Sequence, residues 1–279
     1  MNARVLSTKE IDRFHTYLQQ EEKSRATQEK YLRDVRRFCL HAAGAAITKQ
    51  TVIDWKAKLL AEGYAVRSVN SMLVAVNSLL VFLGWNNCKV KVLRTQQQSY
   101  CPEDQELTKS EYLRLLNASK KNEQLNLVLQ TICSAGIRVS ELRFFSVEAV
   151  RCGEITIHCK SKTRTILIPG KLKKLLLNYA QRRKISSGAI FLGRNGKPLD
   201  RSFIWRQMKR LCKAAGVKES KVFPHNLRKL FARTFYNMEK DIAKLADILG
   251  HSSINTTRIY IITTSWEHRR KIEQLGLII

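Results

Sequence analysis

KVFPHNLRKLFARTFYNMEKDIAKLADILGHSSINTTRIY, residues 221–260, is the stretch from which the rest of the chain can be read. Pro224 suits the first turn of a helix, where its missing N–H costs no hydrogen bond. Behind it Leu227, Leu230, Phe231, Thr234 and Phe235 recur at helical spacing. A second helix is predicted over 241–249, ended by Gly250, and a short third one over 252–259. His225 and Arg228 stand three apart, so they project from one helical face. His251 follows the helix-breaking glycine, and Tyr260 comes at the end of the third helix.

Two further cations lie upstream. Gly136 ends a helix predicted over 123–134, and Arg138 follows it before a new helix over 139–145. Residues 154–158 and 164–168 are rich in β-branched side chains, and CKSKT between them makes a hairpin with a basic tip. Lys160 and Lys162 both lie at that tip; Lys160, directly after the first strand, is preferred as the functional one. Together these residues supply what cleavage of a phosphodiester without a metal requires. Two arginines fork onto non-bridging oxygens and stabilise a pentacoordinate transition state. A tyrosine hydroxyl attacks phosphorus and forms a covalent intermediate, given a group to take its proton. A lysine or histidine protonates the departing 5′ oxygen. No carboxylate cluster for Mg²⁺, HExxH, Walker loop or GxGxxG is present, so neither a metal nor another cofactor is expected.

The bulk properties fit a polyanionic partner. A formal net charge of +27 and a pI near 10.1 favour nucleic acid or an anionic surface, and both halves of the chain are basic. The chain's 279 residues are more than one core usually serves, so two domains are expected. Seven cysteines without a CxxC pair point to reduced thiols rather than disulfides or zinc. No signal peptide or membrane-spanning run is read at the start or elsewhere, which predicts a soluble, cytoplasmic protein with no membrane contact.

The first part, 1–94, reads as four helices: 7–22, 25–41, one from Thr48 to near Gly63, and an almost wholly apolar one over 66–84. Lys30, Arg33, Arg36 and Arg37 on the second helix, and Arg67 and Asn70 on the fourth, are candidates for DNA contact. Residues 95–106, polar and containing Pro102, are predicted to be a linker. In the second part, 107–279, Thr108 and Glu111 form a capping box for a helix to about residue 119. Further helices are expected over 172–184, from Asp200 to about 215, and over 265–275, with a short strand at 189–192. Arg201 and Arg206, with Lys162 at the hairpin, complete the candidate DNA contacts.

GIRVSEL (136–142), HNLR (225–228), GHSS (250–253) and the later Tyr260, in that order, resemble the tyrosine recombinase, or phage integrase, family, of the simple Xer-like kind. SRATQEKYLRDVRRF (24–38) is similar to the second helix of that family's core-binding domain, and LTKSEYLRLL (107–116) to the start of its catalytic domain. The resemblance covers essentially the whole chain. It departs at Ala135, often a threonine in the family, and at Lys229, often a second histidine.

The implied fold is mainly α: a SAM-like helical core-binding domain (1–94), then a helical catalytic domain (107–279) with a small β-hairpin. The implied roles are Arg138 and Arg228 gripping the phosphate and Lys160 as general acid. His225 would be the acid–base partner of the tyrosine, His251 a phosphate ligand, and Tyr260 the nucleophile. Glu141 is a candidate for orienting an arginine. The expected activity is site-specific recombination through a 3′-phosphotyrosine and a Holliday junction, on a double-stranded DNA site. The expected assembly is a homo-tetramer on DNA, formed from monomers or weak associations, with an accessory protein as a further partner. A nucleoid-associated, mobile-element or prokaryotic setting follows from the same likeness. The apolar tail, GLII at 276–279, is expected to dock on a neighbouring subunit. The alternatives are a nicking-resealing enzyme like type IB topoisomerases, and a DNA-binding protein with an idle site.

Overall fold

In the computed structural model, residues 4–94, 105–159, 162–193, 195–261 and 273–275 are described, without the side chains of 158, 159 and 162. The chain separates into two compact units, Met1–Gln97 and Gln98–Ile279. Most of the predicted linker, residues 95–104, lies outside the described residues.

The first unit holds helices α1 (Thr8–Gln20), α2 (Arg25–Ala42), α3 (Lys49–Ala61) and α4 (Val66–Phe82). Ser7 and Glu10 close a capping box on α1, and Thr48 with Thr51 does the same for α3. Phe14, Leu18, Val35, Phe38, Trp55, Leu73 and Leu79 meet in one core. Beyond α4 the chain runs back along that helix, held by two asparagines. Asn77 Nδ2 donates to the Val90 carbonyl at 2.9 Å, and Asn70 Nδ2 to the Leu93 carbonyl at 2.8 Å. Each amide oxygen accepts from the N–H of the same partner residue. The spacing matches: seven helical residues rise about 10 Å, as do three extended ones.

The second unit is helical apart from one hairpin. Its elements are α5 (Lys109–Ala118), α6 (Glu123–Ala135), a 3₁₀ helix (Val139–Phe144), α7 (Val147–Cys152), β1 (Glu154–Cys159) and β2 (Lys162–Leu167). Then come α8 (Gly170–Arg182), α9 (Arg201–Ala215), α10 (Pro224–Glu239), α11 (Ile242–Leu249) and α12 (Ile254–Ile261). Strands β1 and β2 pair antiparallel, Glu154 opposite Leu167 through Cys159 opposite Lys162. The main core gathers Leu115, Leu129, Ile132, Phe145, Leu176, Phe191, Met208 and Leu227. A separate small cluster joins Ala232, Leu245, Leu249 and Tyr260.

Several expectations are corrected. The element after Arg138 is a 3₁₀ helix rather than an α-helix, because Ser146 caps a new helix, α7, only a few residues on. Helix α7 itself is short and was not anticipated. Residues 189–192 form no strand; they make single bridges, Ser146 with Ala189 and Leu192 with Pro198. The helix expected over 265–275 falls almost wholly outside the described residues. Among the described residues no helix is long and apolar enough to cross a membrane, and Cys39, Cys88, Cys133, Cys152 and Cys212 are free thiols.

Candidate active site

Five of the six residues singled out in the sequence fall in the second unit and are described; four of them, with Arg138 beside them, share one neighbourhood. Arg138 reaches it from the loop after Gly136. That glycine ends α6 at φ 59°, where an L side chain is strained, and a Cβ on it would overlap the Phe231 ring. Arg138 and Glu141 then lock the turn. The Arg138 N–H donates to Glu141 Oε2 at 2.7 Å and its Nη1 to Oε1 at 3.1 Å. Glu141 is only 6% exposed.

Arg228 is the most deeply placed of the set, at 1% exposure on α10. Its Nη1 donates to the Gly136 carbonyl at 2.6 Å and its Nη2 to the Leu249 carbonyl at 2.7 Å. The same Nη2 lies 3.0 Å from His251 Nε2, while Nε is buried without a protein partner. Burial, then the charge of Arg138, push the Arg228 guanidinium down to about 10, so it remains a cation at neutral pH. A buried cation held by two carbonyls, with one N–H still unspent, is suited to an anionic ligand.

His251 is positioned by the Gly250 turn, at φ 63°. Its ring lies 5.1 Å from that of Tyr260, and the His225 ring is also 5.1 Å from Tyr260. The Arg228 guanidinium is 6.0 Å from the same tyrosine ring. Tyr260 is 6% exposed and belongs to the small apolar cluster, so the ring is fixed by packing and the two imidazoles flank it. Loss of solvent pushes His251 down to about 4, helped by Arg228, Arg138 and Arg164. His225 keeps an exposed edge; desolvation of its inner edge and the charges of Lys229, Arg228, Arg138 and Arg201 lower it too. Both imidazoles are thus biased towards the neutral form.

One residue was missed. Arg164 on β2 donates through Nη1 to the Leu249 carbonyl at 2.6 Å and to Glu141 Oε1 at 3.3 Å. It shares the carbonyl with Arg228 and the carboxylate with Arg138, and so pins the hairpin to both arginines. A Cβ on Gly250 would overlap the Arg164 side chain. No local pattern marks this residue; its partners are 23 and 85 positions away. Lys160 lies outside the described residues, as does the side chain of Lys162.

The candidate DNA contacts divide. Arg36, Arg67, Arg201 and Arg206 are exposed. Lys30 is spent on Asp34 (2.7 Å) and the Ser71 carbonyl (3.0 Å), and Arg33 leans on Asp34 while staying largely in solvent. Arg37 is held by Tyr64 and Glu62. Asn70, read as a DNA contact, also holds the chain: its amide bonds the N–H and carbonyl of Leu93.

The comparisons agree with this layout. Residues 105–265 match the model of the phage integrase family, and residues 11–87 match that of the phage integrase N-terminal SAM-like domain. Tyrosine recombinase XerA of Pyrococcus furiosus is 29% identical over 286 residues, spanning 100% of this chain and 98% of that protein. A lambda integrase tetramer bound to a Holliday junction has the same fold, with a TM-score of 0.74 at 18% identity, over 93% of this chain and 78% of that one. The Tn1549 transposon integrase in complex with transposon right end DNA matches at a TM-score of 0.73 and 15% identity, over 96% of this chain and 99% of that one. With a family model spanning more than half its length, and the motif residues gathered around one tyrosine, the chain belongs to the phage integrase family.

Proposed function

We propose that the chain is a site-specific DNA recombinase that cuts and rejoins DNA through a phosphotyrosine on Tyr260. The observation that carries this reading is the setting of Tyr260 beside both His225 and His251, each ring at 5.1 Å, with the Arg228 guanidinium at 6.0 Å. The Tyr260 oxygen attacks phosphorus, and the bond from phosphorus to the 5′ oxygen breaks. The tyrosine's proton passes to His225, which is neutral at pH 7 and free to accept it. Arg138 and Arg228 take the charge on the non-bridging oxygens. Lys160 protonates the leaving 5′ oxygen. The free 5′-hydroxyl of a partner strand reverses these steps, so bond count is conserved and no energy source is consumed.

Strand exchange between two duplexes calls for a tetramer on a double-stranded site. Family membership and the lambda integrase tetramer support that assembly. An apolar cavity of about 310 Å³ lined by Tyr112, Leu113, Phe231, Phe235 and Met238 offers a place for the apolar tail of a neighbouring copy. A setting in the cytoplasm, on the nucleoid or a mobile element, fits the same reading.

The test is a nicked suicide duplex bearing the recombination site. Covalent protein–DNA is expected with the native chain and is expected to vanish in Tyr260→Phe. No trapping with the native chain would leave the idle-site alternative standing. Trapping that relaxes a two-site plasmid without exchanging it would mean a topoisomerase-like enzyme. A 5′-bridging phosphorothiolate, whose sulfur leaves without a proton, should rescue Lys160→Ala. Rescue of Lys162→Ala instead would move the general acid by two positions.

A further inference from the structure

His251 has two ring nitrogens, and the structure leaves little freedom in which of them carries the proton. Nε2 lies 3.0 Å from Arg228 Nη2. A guanidinium only donates, so Nε2 must accept. The proton of the neutral ring is then on Nδ1. That atom lies 2.8 Å from Thr257 Oγ1, and Thr257 is fully buried. The opposite assignment would set Nε2–H against an arginine N–H in a desolvated site. Thr257 and Tyr260 are three apart on α12, so the hydroxyl and the tyrosine share one face of that helix.

We infer that Thr257 is a positioning residue: its hydroxyl accepts from His251 Nδ1–H and so holds Nε2 towards Arg228, and it does so only while α12 is seated. Seating of the tyrosine's helix and setting of the histidine's tautomer are one event. With α12 displaced, Nδ1–H loses its acceptor, and the ring is free to turn out of line with Arg228 Nη2, after which nothing fixes the tautomer. A copy whose α12 is displaced therefore also has its histidine unset, so the ring edge that would meet the phosphate, as an imidazolium Nε2–H, is not held in place. The catalytic consequence rests on the recombinase reading; the tautomer does not.

The test has two arms. In the first, long-range ¹H–¹⁵N spectra of the histidine-labelled full chain, free of DNA, report the tautomer, with His251→Gln assigning the signal. The expected result is the Nδ1–H form in the native chain and in Thr257→Ser, and an averaged pattern in Thr257→Val. An Nε2–H form in the native chain overturns the inference, whether or not any variant folds, and so does an unchanged pattern in a folded Thr257→Val. In the second arm, covalent trapping on the suicide duplex should slow by about tenfold in Thr257→Val, the worth of one buried hydrogen bond. DNA affinity should be unchanged and Thr257→Ser should restore the rate; a full rate in Thr257→Val overturns the inference. If the native chain traps no DNA, the recombinase reading fails while the spectra still decide the tautomer.

Discussion

Each unit of the molecule buries one carboxylate between two cations, and the two arrangements differ in reach. In the first unit Asp34, 2% exposed, pairs with Lys30 four residues before it and Arg33 next to it. All three belong to α2, and Arg33 keeps 72% of its side chain in solvent. In the second unit Glu141 takes Arg138 from its own turn and Arg164 from the hairpin. Through Arg164 and the Leu249 carbonyl it is tied to Arg228 as well. The first arrangement fastens one helix to its neighbour. The second fixes the relative placement of three elements, each of which contributes to the site. The difference locates the functional cost: removing the first carboxylate disturbs stability, and removing the second disturbs geometry as well.

The largest effect is therefore expected at Glu141. Glu141→Ala removes the carboxylate from Arg164 and frees Arg138 to swing, which should cost about 2 kcal/mol of stability. It should also lower covalent trapping roughly 100-fold, because Arg138, proposed to grip the phosphate, loses its aim and Arg164 no longer ties the hairpin to that turn. Asp34→Ala should cost stability too, about 1 kcal/mol, since its partners reach solvent, and should leave trapping at saturating DNA within about twofold. Chemical melts and single-turnover trapping separate the two. Equal losses of trapping in both variants would break the comparison. Arg164→Ala should resemble Glu141→Ala in trapping.

This contrast also explains what the sequence made legible. Motifs built from neighbours were readable: the capping box of Thr108 and Glu111, the His225–Arg228 face, and the Gly250–His251 turn all follow from spacing of three or four, or from one glycine. Family likeness then joined Arg138 to them across about ninety residues. What remained hidden was long-range and polar. Arg164 carries no local mark in its strand, and Thr257 carries none in α12. Asn70 looked like a free amide on a helix reaching for DNA. In each case the deciding partner was a backbone carbonyl or N–H, or a ring nitrogen, and no residue type advertises those. The 3₁₀ turn after Arg138 was hidden for a different reason: helix length was set by the competing cap at Ser146, not by apolar period.

A smaller effect should appear with pH. His251 is held near 4 in the folded chain against about 6.5 when unfolded. The unfolded chain therefore binds more protons below 6.5, and folding stability from this group is complete above that pH and lost as pH falls towards 4. The His225 contribution has the same sign. Melting midpoints of the free protein should fall across that window, and His251→Gln should flatten the fall. A native curve that is flat between pH 6.5 and 4.5 would show that the arginine-lined setting does not discourage a charged imidazole. Bound DNA should oppose the trend, because the phosphate charge favours the imidazolium.

The smallest effect tests the first unit, where adjacent arginines have different work. Arg36 is exposed, whereas Arg37 donates to the Tyr64 hydroxyl at 2.5 Å and Glu62 at 2.8 Å, its guanidinium 4.7 Å from the Tyr64 ring. If the exposed cation meets a phosphate, Arg36→Ala should weaken DNA binding and reduce the salt dependence of log K by about one unit of slope. Its effect on melting should be negligible. Arg37→Ala should do the reverse: a loss of about 0.5–1 kcal/mol from an exposed pair stacked on an aromatic ring, with the salt slope unchanged. Titrations at several salt concentrations read the slope directly. A slope that falls with Arg37→Ala and not with Arg36→Ala would mean that DNA binding unpicks the Arg37–Glu62 pair. The cation with partners, rather than the one without, would then be the contact.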